Sequence, residues 1–229
     1  MNKVTLGRSG ITACSVGLEL SPLRGMSFAQ SRELMDKAID AGIDFFDIGL
    51  PDEELQKRIG HGLLGRRSRV ILAGSFAPCS PAELKKGLEK QLRALKTDYL
   101  DLCQIHDPDY LPRTGDREGF YDALTDAKNA GYIRSIGLTT GTDVIALNAL
   151  EFGWYDTLQY PWTRESSPED LDFIPFAHEA AMGTISVPQD GPFTREELVR
   201  DIAWLKTNPE HLGLWLSDET TDLLLKELN

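Results

Sequence analysis

Short apolar runs, several of them rich in β-branched residues, recur along the chain and are separated by longer amphipathic stretches. They read CSVGLEL (14–20), GIDFFD (42–47), RVILAGS (69–75), DYLDLCQIH (98–106), YIRSIGLTT (132–140), YDTLQY (155–160), MGTISVP (182–188) and HLGLWLS (211–217). Runs of this length, bounded by polar and turn-forming residues, predict buried strands.

The stretches between them carry helix-start signals. Ser27 with Gln30, Ser80 with Glu83 and Thr194 with Glu197 each form a capping box, in which two orphan backbone N–H groups are satisfied reciprocally. Pro81 and Pro168 stand at first-turn positions, where a missing N–H costs nothing. Ser167 and Ser217 cap the last pieces, PEDLDFIPFAHEA and DETTDLLLKEL. Leu84, Leu88, Leu92 and Leu95 make an apolar stripe at helical spacing, the face of a helix that lies on a sheet. Eight strands alternating with eight helices predict parallel β/α units closed into a single (β/α)8 TIM barrel spanning residues 1–229, with short loops. An open doubly wound sheet is the alternative, but no Gly-x-Gly-x-x-Gly follows the first strand.

Composition narrows the partners. The 24 Lys and Arg against 36 Asp and Glu give a net charge of −12, so nucleic acid and anionic membrane are poor partners. Anionic substrates meet the same objection unless a local cation receives them. Cys14, Cys79 and Cys103 have neither disulfide-framework nor zinc-motif spacing. No secretion signal or membrane span is legible, which leaves a cytoplasmic protein acting on a small molecule as the expectation.

In a barrel, chemistry belongs at the carboxyl ends of the strands. The residues arriving there are Glu19, Asp47, Ser75, His106 with Asp107 and Asp109, Thr139 with Thr140, Gln159, Gln189 with Asp190, and Ser217. Asp47 ends a run that reads as buried, and a carboxylate there needs hydrogen-bond partners or its pKa rises. Asp52 has two readings: an acid in the same mouth, or a first-turn carboxylate that favours its helix dipole. Trp162, just past the sixth run, joins Glu19, Ser75 and Asp107 as a candidate substrate contact. So acidic a mouth favours a polar or cationic ligand.

With these residues placed, the sequence resembles the aldo-keto reductases along nearly its whole length. The matching pieces are LGRSGITACSVGLEL (6–20), AIDAGIDFFD (38–47), RIGHGLLGRRSRVILA (58–73), LEKQLRALKTDYLDLCQIHDPD (88–109) and LTDAKNAGYIRSIGLTT (124–140). The resemblance implies a (β/α)8 barrel and a catalytic Asp, Tyr, Lys and His. Asp47 and His106 match two of these. The tyrosine position holds Asp52 and the lysine position Ser75. The resemblance also implies that Thr139, Thr140 and Gln159 face a nicotinamide. Its phosphate-binding places, after the seventh and eighth strands, are here a short loop around Gln189–Phe193 and the acidic Ser217-Asp218-Glu219.

Half of the tetrad is thus replaced, and three functions compete. The first is a non-redox enzyme in which Asp47, Asp52 and His106 act as acid and base on a small polar or cationic ligand. The second is a residual NADP(H)-dependent oxidoreductase acting on a carbonyl, and the third a non-catalytic relative that binds a ligand or partner. On the sequence the first leads, with no cofactor expected: NADPH should bind no tighter than about 100 μM.

Overall fold

In the computed structural model, which describes residues 2–188, 193–216 and 221–228, the predicted strands close into a parallel barrel. A short antiparallel hairpin, β1 (Lys3–Thr5) and β2 (Thr12–Cys14), precedes it. The barrel strands are β3 (Val16–Glu19), β4 (Phe45–Asp47), β5 (Ile71–Phe76), β6 (Leu100–His106), β7 (Ile133–Thr139), β8 (Thr157–Tyr160), β9 (Gly183–Ser186) and β10 (His211–Leu216). Each pairs in parallel with its chain neighbours, and β10 closes on β3. The helices between them are α1 (Phe28–Asp40), α2 (Glu53–Gly62), α3 (Pro81–Leu95), α4 (Phe120–Asn129) and α5 (Asp143–Phe152). After β8 come two short ones, α6 (Pro168–Leu171) and α7 (Phe173–Glu179), then α8 (Arg195–Thr207) and α9 (Thr221–Leu228). This is a (β/α)8 barrel, with the sixth crossover helix broken in two.

Helices start where the capping chemistry put them. The boxes at Ser27, Ser80 and Thr194 all form, and the Ser167 side chain accepts from the Asp170 N–H. The expected cap at Ser217 lies outside the described residues, as do Gln189 and Asp190. Leu84, Leu88, Leu92 and Leu95 of α3 are all buried in the apolar layer between strands and helices. Each such leucine contributes roughly 1.5–3 kcal/mol.

The N-terminal hairpin is not among the predicted elements. Val4, Leu6, Ile11 and Ala13 join Phe45, Ala73, Leu102, Ile185, Leu212 and Leu214 in a second apolar cluster, so the hairpin plugs the barrel at the N-terminal ends of its strands. The seam is tight. Gly7, at φ 51°, bridges to Met182, and a Cβ there would stand 2.4 Å from the Ala181 carbonyl oxygen. The plug leaves the C-terminal ends of the strands for chemistry. Among the described residues no helix is long and apolar enough to cross a membrane.

Candidate active site

Side chains alternate along a strand, so β6 sends Leu102, Gln104 and His106 to the same face. Leu102 belongs to the apolar plug, and Gln104 and His106 stand above it. In the strand register Glu19 lies opposite Asp47, Ser75 opposite Gln104, and Thr139 opposite both His106 and Gln159. These residues form a polar layer over the plug. All are buried except His106, which is half-buried. Gly137 makes room for them, since a Cβ there would come within 2.2 Å of Thr157 Oγ1 and 3.3 Å of Gln104 Cγ.

Gln159 ties the layer together. Its Oε1 accepts from Gln104 Nε2 and from Thr139 Oγ1, both at 2.8 Å. Its Nε2 donates to the Ser186 carbonyl at 3.2 Å and to Asp47 Oδ2 at 3.3 Å. The acceptor side is therefore filled by short bonds, and the donor side is held by long ones. Gln104 Oε1 is buried with no hydrogen-bond partner, and an acceptor left in that state costs about 1–3 kcal/mol.

Two acids flank this floor. Glu19 is 7% exposed and accepts from Ser21 Oγ at 2.6 Å and Ser21 N at 3.0 Å. Burial pushes its carboxyl up to about 7; the Ser21 hydroxyl opposes the shift and the neighbouring Asp47 charge adds to it. Asp47 accepts from the Gly49 N–H at 2.8 Å. Burial raises its pKa as well, against the Gly49 and Gln159 hydrogen bonds and the charge of His106.

Several expected site residues are placed otherwise. Asp52 is the N-cap of α2: Oδ1 accepts from the Leu55 N–H at 3.0 Å, and Oδ2 accepts from Arg24 Nε at 2.7 Å. The Leu55 N–H, and after it Arg24, hold this carboxyl below the ordinary range, so it has no proton to give. Asp107 is exposed with φ 42°, and it is its backbone N–H that bonds, to the Thr139 carbonyl. Thr140 accepts from the Thr142 N–H at the entry to α5. Trp162 is wholly buried, with Nε1 donating to the Asp170 carbonyl and its ring against Tyr160 and His211, and it offers no surface to a substrate. The mouth is also less negative than its count of acids implies, because burial raises the pKa of Glu19 and Asp47 and because Asp52 is paired with Arg24.

The Asp52 cap makes a direct prediction. Asp52→Ala should destabilise the fold by about 1–2 kcal/mol, whereas Asp52→Asn, an equally good cap, should lose less than about half of that. Urea denaturation decides it: equal losses would mean that the Arg24 pair, not the cap, holds the loop.

Four contributors are absent from the sequence reading: Gln104, Ser21, Arg24 and Ser186. Gln104 had a signal, being a polar residue two positions before His106 on the inward face of an apolar run. Ser21 and Arg24 follow Glu19 in a 3-10 turn, Ser21–Gly25, whose geometry no periodicity announces.

The barrel has counterparts among solved structures. The aldo-keto reductase of Klebsiella pneumoniae solved in complex with NADPH has the same fold, with a TM-score of 0.80 at 20% identity, covering 100% of this chain and 90% of that one. The 6-dehydroglucose reductase of Novosphingobium aromaticivorans is 32% identical in an alignment of 167 residues that covers 62% of this chain and 53% of that protein. The aldo-keto reductase YhdN of Bacillus subtilis is 29% identical in an alignment of 206 residues that covers 81% of this chain and 61% of that protein. The chain thus spans little more than half the length of these curated relatives. Residues 15–157 match the model of the Aldo/keto reductase family, and on that match the chain belongs to the aldo/keto reductases.

Proposed function

We propose that the protein is an NADP(H)-linked oxidoreductase of small carbonyl compounds, in which proton handling has moved from positions 52 and 75 to Glu19 and Asp47. The observation that carries this reading is the floor of the mouth. An orphan acceptor, Gln104 Oε1, lies in the same side-chain network as a loosely held donor, Gln159 Nε2. That pair complements a primary amide, which offers one N–H donor and one carbonyl acceptor in a plane. The carboxamide of a nicotinamide is such a group, and Gln104 and Gln159 would hold it. When bound, a reduced nicotinamide supplies the hydride that a carbonyl carbon accepts.

The remaining chemistry belongs to the chain. The carbonyl oxygen becomes an alkoxide and needs a proton. Glu19, its pKa pushed up to about 7, keeps its proton in about half of the molecules at neutral pH, and the Asp47 charge beside it disfavours the loss. The proton passes from the Glu19 carboxyl to the oxygen, the alcohol forms, and solvent reprotonates the carboxylate. The acid/base enzyme placed first on the sequence gives way here, because Asp52, one of its three groups, serves as a helix cap. The likeness to reductases, one of them solved with NADPH, supports the redox reading.

Calorimetric titration with NADPH tests it. Wild-type protein should bind, and Gln104→Leu should weaken binding by about tenfold, the worth of one buried hydrogen bond. No heat with wild-type protein at millimolar NADPH would overturn the reading, as would binding indifferent to Gln104.

A further inference from the structure

Arg24 is a cation at a mouth that the net charge of −12 makes unpromising for anions. It sits in the turn that follows β3 and reaches to Asp52 at the start of α2. The contact is monodentate. Asp52 Oδ2 takes Arg24 Nε at 2.7 Å, while Oδ1 is occupied by the Leu55 N–H. One of the five guanidinium donors is thereby used. Among the described residues the two Nη groups make no hydrogen bond, and the side chain is 59% exposed. A clasp between two loops needs no more than the first contact, so the outer edge of the fork remains available to a ligand.

Arg24 belongs to the same 3-10 turn as Ser21, whose backbone N–H and hydroxyl both donate to the Glu19 carboxylate. Arg24 therefore lies on the turn that borders the Glu19 carboxyl, and its planar fork matches a carboxylate bidentately. The distant acids matter little to a bound anion, since exposed charges are screened over about 8–10 Å at ordinary ionic strength. The neighbouring acids matter less than their number implies: burial raises the pKa of both Glu19 and Asp47, and Asp52 is paired with Arg24.

We propose that Arg24 is the anchor for a carboxylate on the substrate, which makes the substrate class a small oxo acid or the corresponding hydroxy acid. The substrate's carboxylate lies on the Nη edge of Arg24, and its carbonyl is turned toward Glu19. Asp52 is then a competitor for Arg24 as well as a cap. The substrate class rests on the oxidoreductase reading, whereas the anion subsite does not.

The test is calorimetric titration of the full chain with pyruvate and with its neutral amide, pyruvamide, each with and without NADPH. Wild-type protein should bind pyruvate at least about tenfold tighter than pyruvamide, the worth of one charge-assisted pair. Arg24→Gln should abolish that preference, and Arg24→Lys should retain part of it. Asp52→Asn, which keeps the cap and removes the competing charge, should tighten pyruvate and leave pyruvamide unchanged. A preference that survives Arg24→Gln, or an Asp52→Asn variant that weakens pyruvate, overturns the subsite. So does the absence of any pyruvate binding under either condition. If NADPH fails to bind while the Arg24-dependent preference is present, the subsite stands and the redox reading falls. If NADPH binds and pyruvate is not preferred, the subsite alone falls.

Discussion

Glu19→Gln should lower carbonyl-reducing turnover by about 10²–10⁴-fold, the usual contribution of a general acid, while making the protein more stable at alkaline pH. The two effects share one cause. The folded protein holds the Glu19 proton up to about pH 7, whereas the unfolded chain releases it near 4.5. The stability that this proton contributes is complete below pH 4.5 and is lost as pH rises through 7. Ionising a carboxyl in its buried place therefore costs about 3 kcal/mol by pH 8. Glutamine has the same shape, can still accept from the Ser21 N–H and has no charge to bury. Wild type and variant should melt together at pH 5, and the variant should melt roughly 6–12 °C higher at pH 8. A gap that is the same at both pH values would mean that Glu19 is ionised throughout, and would remove it as the proton donor.

What the sequence made legible was local. A capping box needs two residues three apart, and the stripe on α3 needs one period, so both are readable before any contact is known. The hairpin was not, because three-residue strands around Gly7 and Gly10 carry little pattern. Val4 and Leu6 are buried for a reason supplied by Leu102, Ile185 and Leu214, far along the chain. Asp52 shows the same limit within the site. As a carboxylate at the start of a helix it permitted either a cap or an acid, and the choice was made by the Leu55 N–H together with Arg24, 28 residues earlier. Asp47 and Glu19 were visible as strand-end acids, but their protonation depends on burial and on each other. Trp162 was misplaced because a buried indole and an exposed one look alike in sequence; its partner is the Asp170 carbonyl, on a helix that follows. Gln104 was within reach of strand alternation, since it shares a face with His106.

Replacing His211 should tilt the pH dependence of stability in the direction opposite to Glu19→Gln. His211 opens β10, wholly buried, with the rings of Trp162 and Trp204 edge-on at 5.4 and 5.3 Å. Thr184 Oγ1 gives its proton to the Glu210 carbonyl, so it receives one from His211 Nδ1, at 3.1 Å. That tautomer leaves Nε2 unprotonated and without a partner. A second proton there would put an uncompensated charge in the core, and burial lowers the pKa from 6.5 to about 3. The unfolded chain takes up a proton below 6.5 that the folded chain refuses, so stability is full above pH 6.5 and falls as pH drops toward 3. Between pH 6.5 and 5 this loss is about 2 kcal/mol, and over the same interval protonation of Glu19 returns a similar amount. Relative to wild type, His211→Phe, which keeps an aromatic ring in the slot, should therefore gain about 2 kcal/mol from pH 6.5 to 5, and Glu19→Gln should lose about 2. These differences cancel every titrating group the proteins share. His211 lies five strand residues below the partner of Glu19, about 16 Å along β10, so the two effects should add and the double variant should regain the wild-type slope. Urea denaturation at pH 5, 5.75 and 6.5 reads all four slopes; a His211→Phe line parallel to wild type would show that the imidazole already carries its charge in the fold.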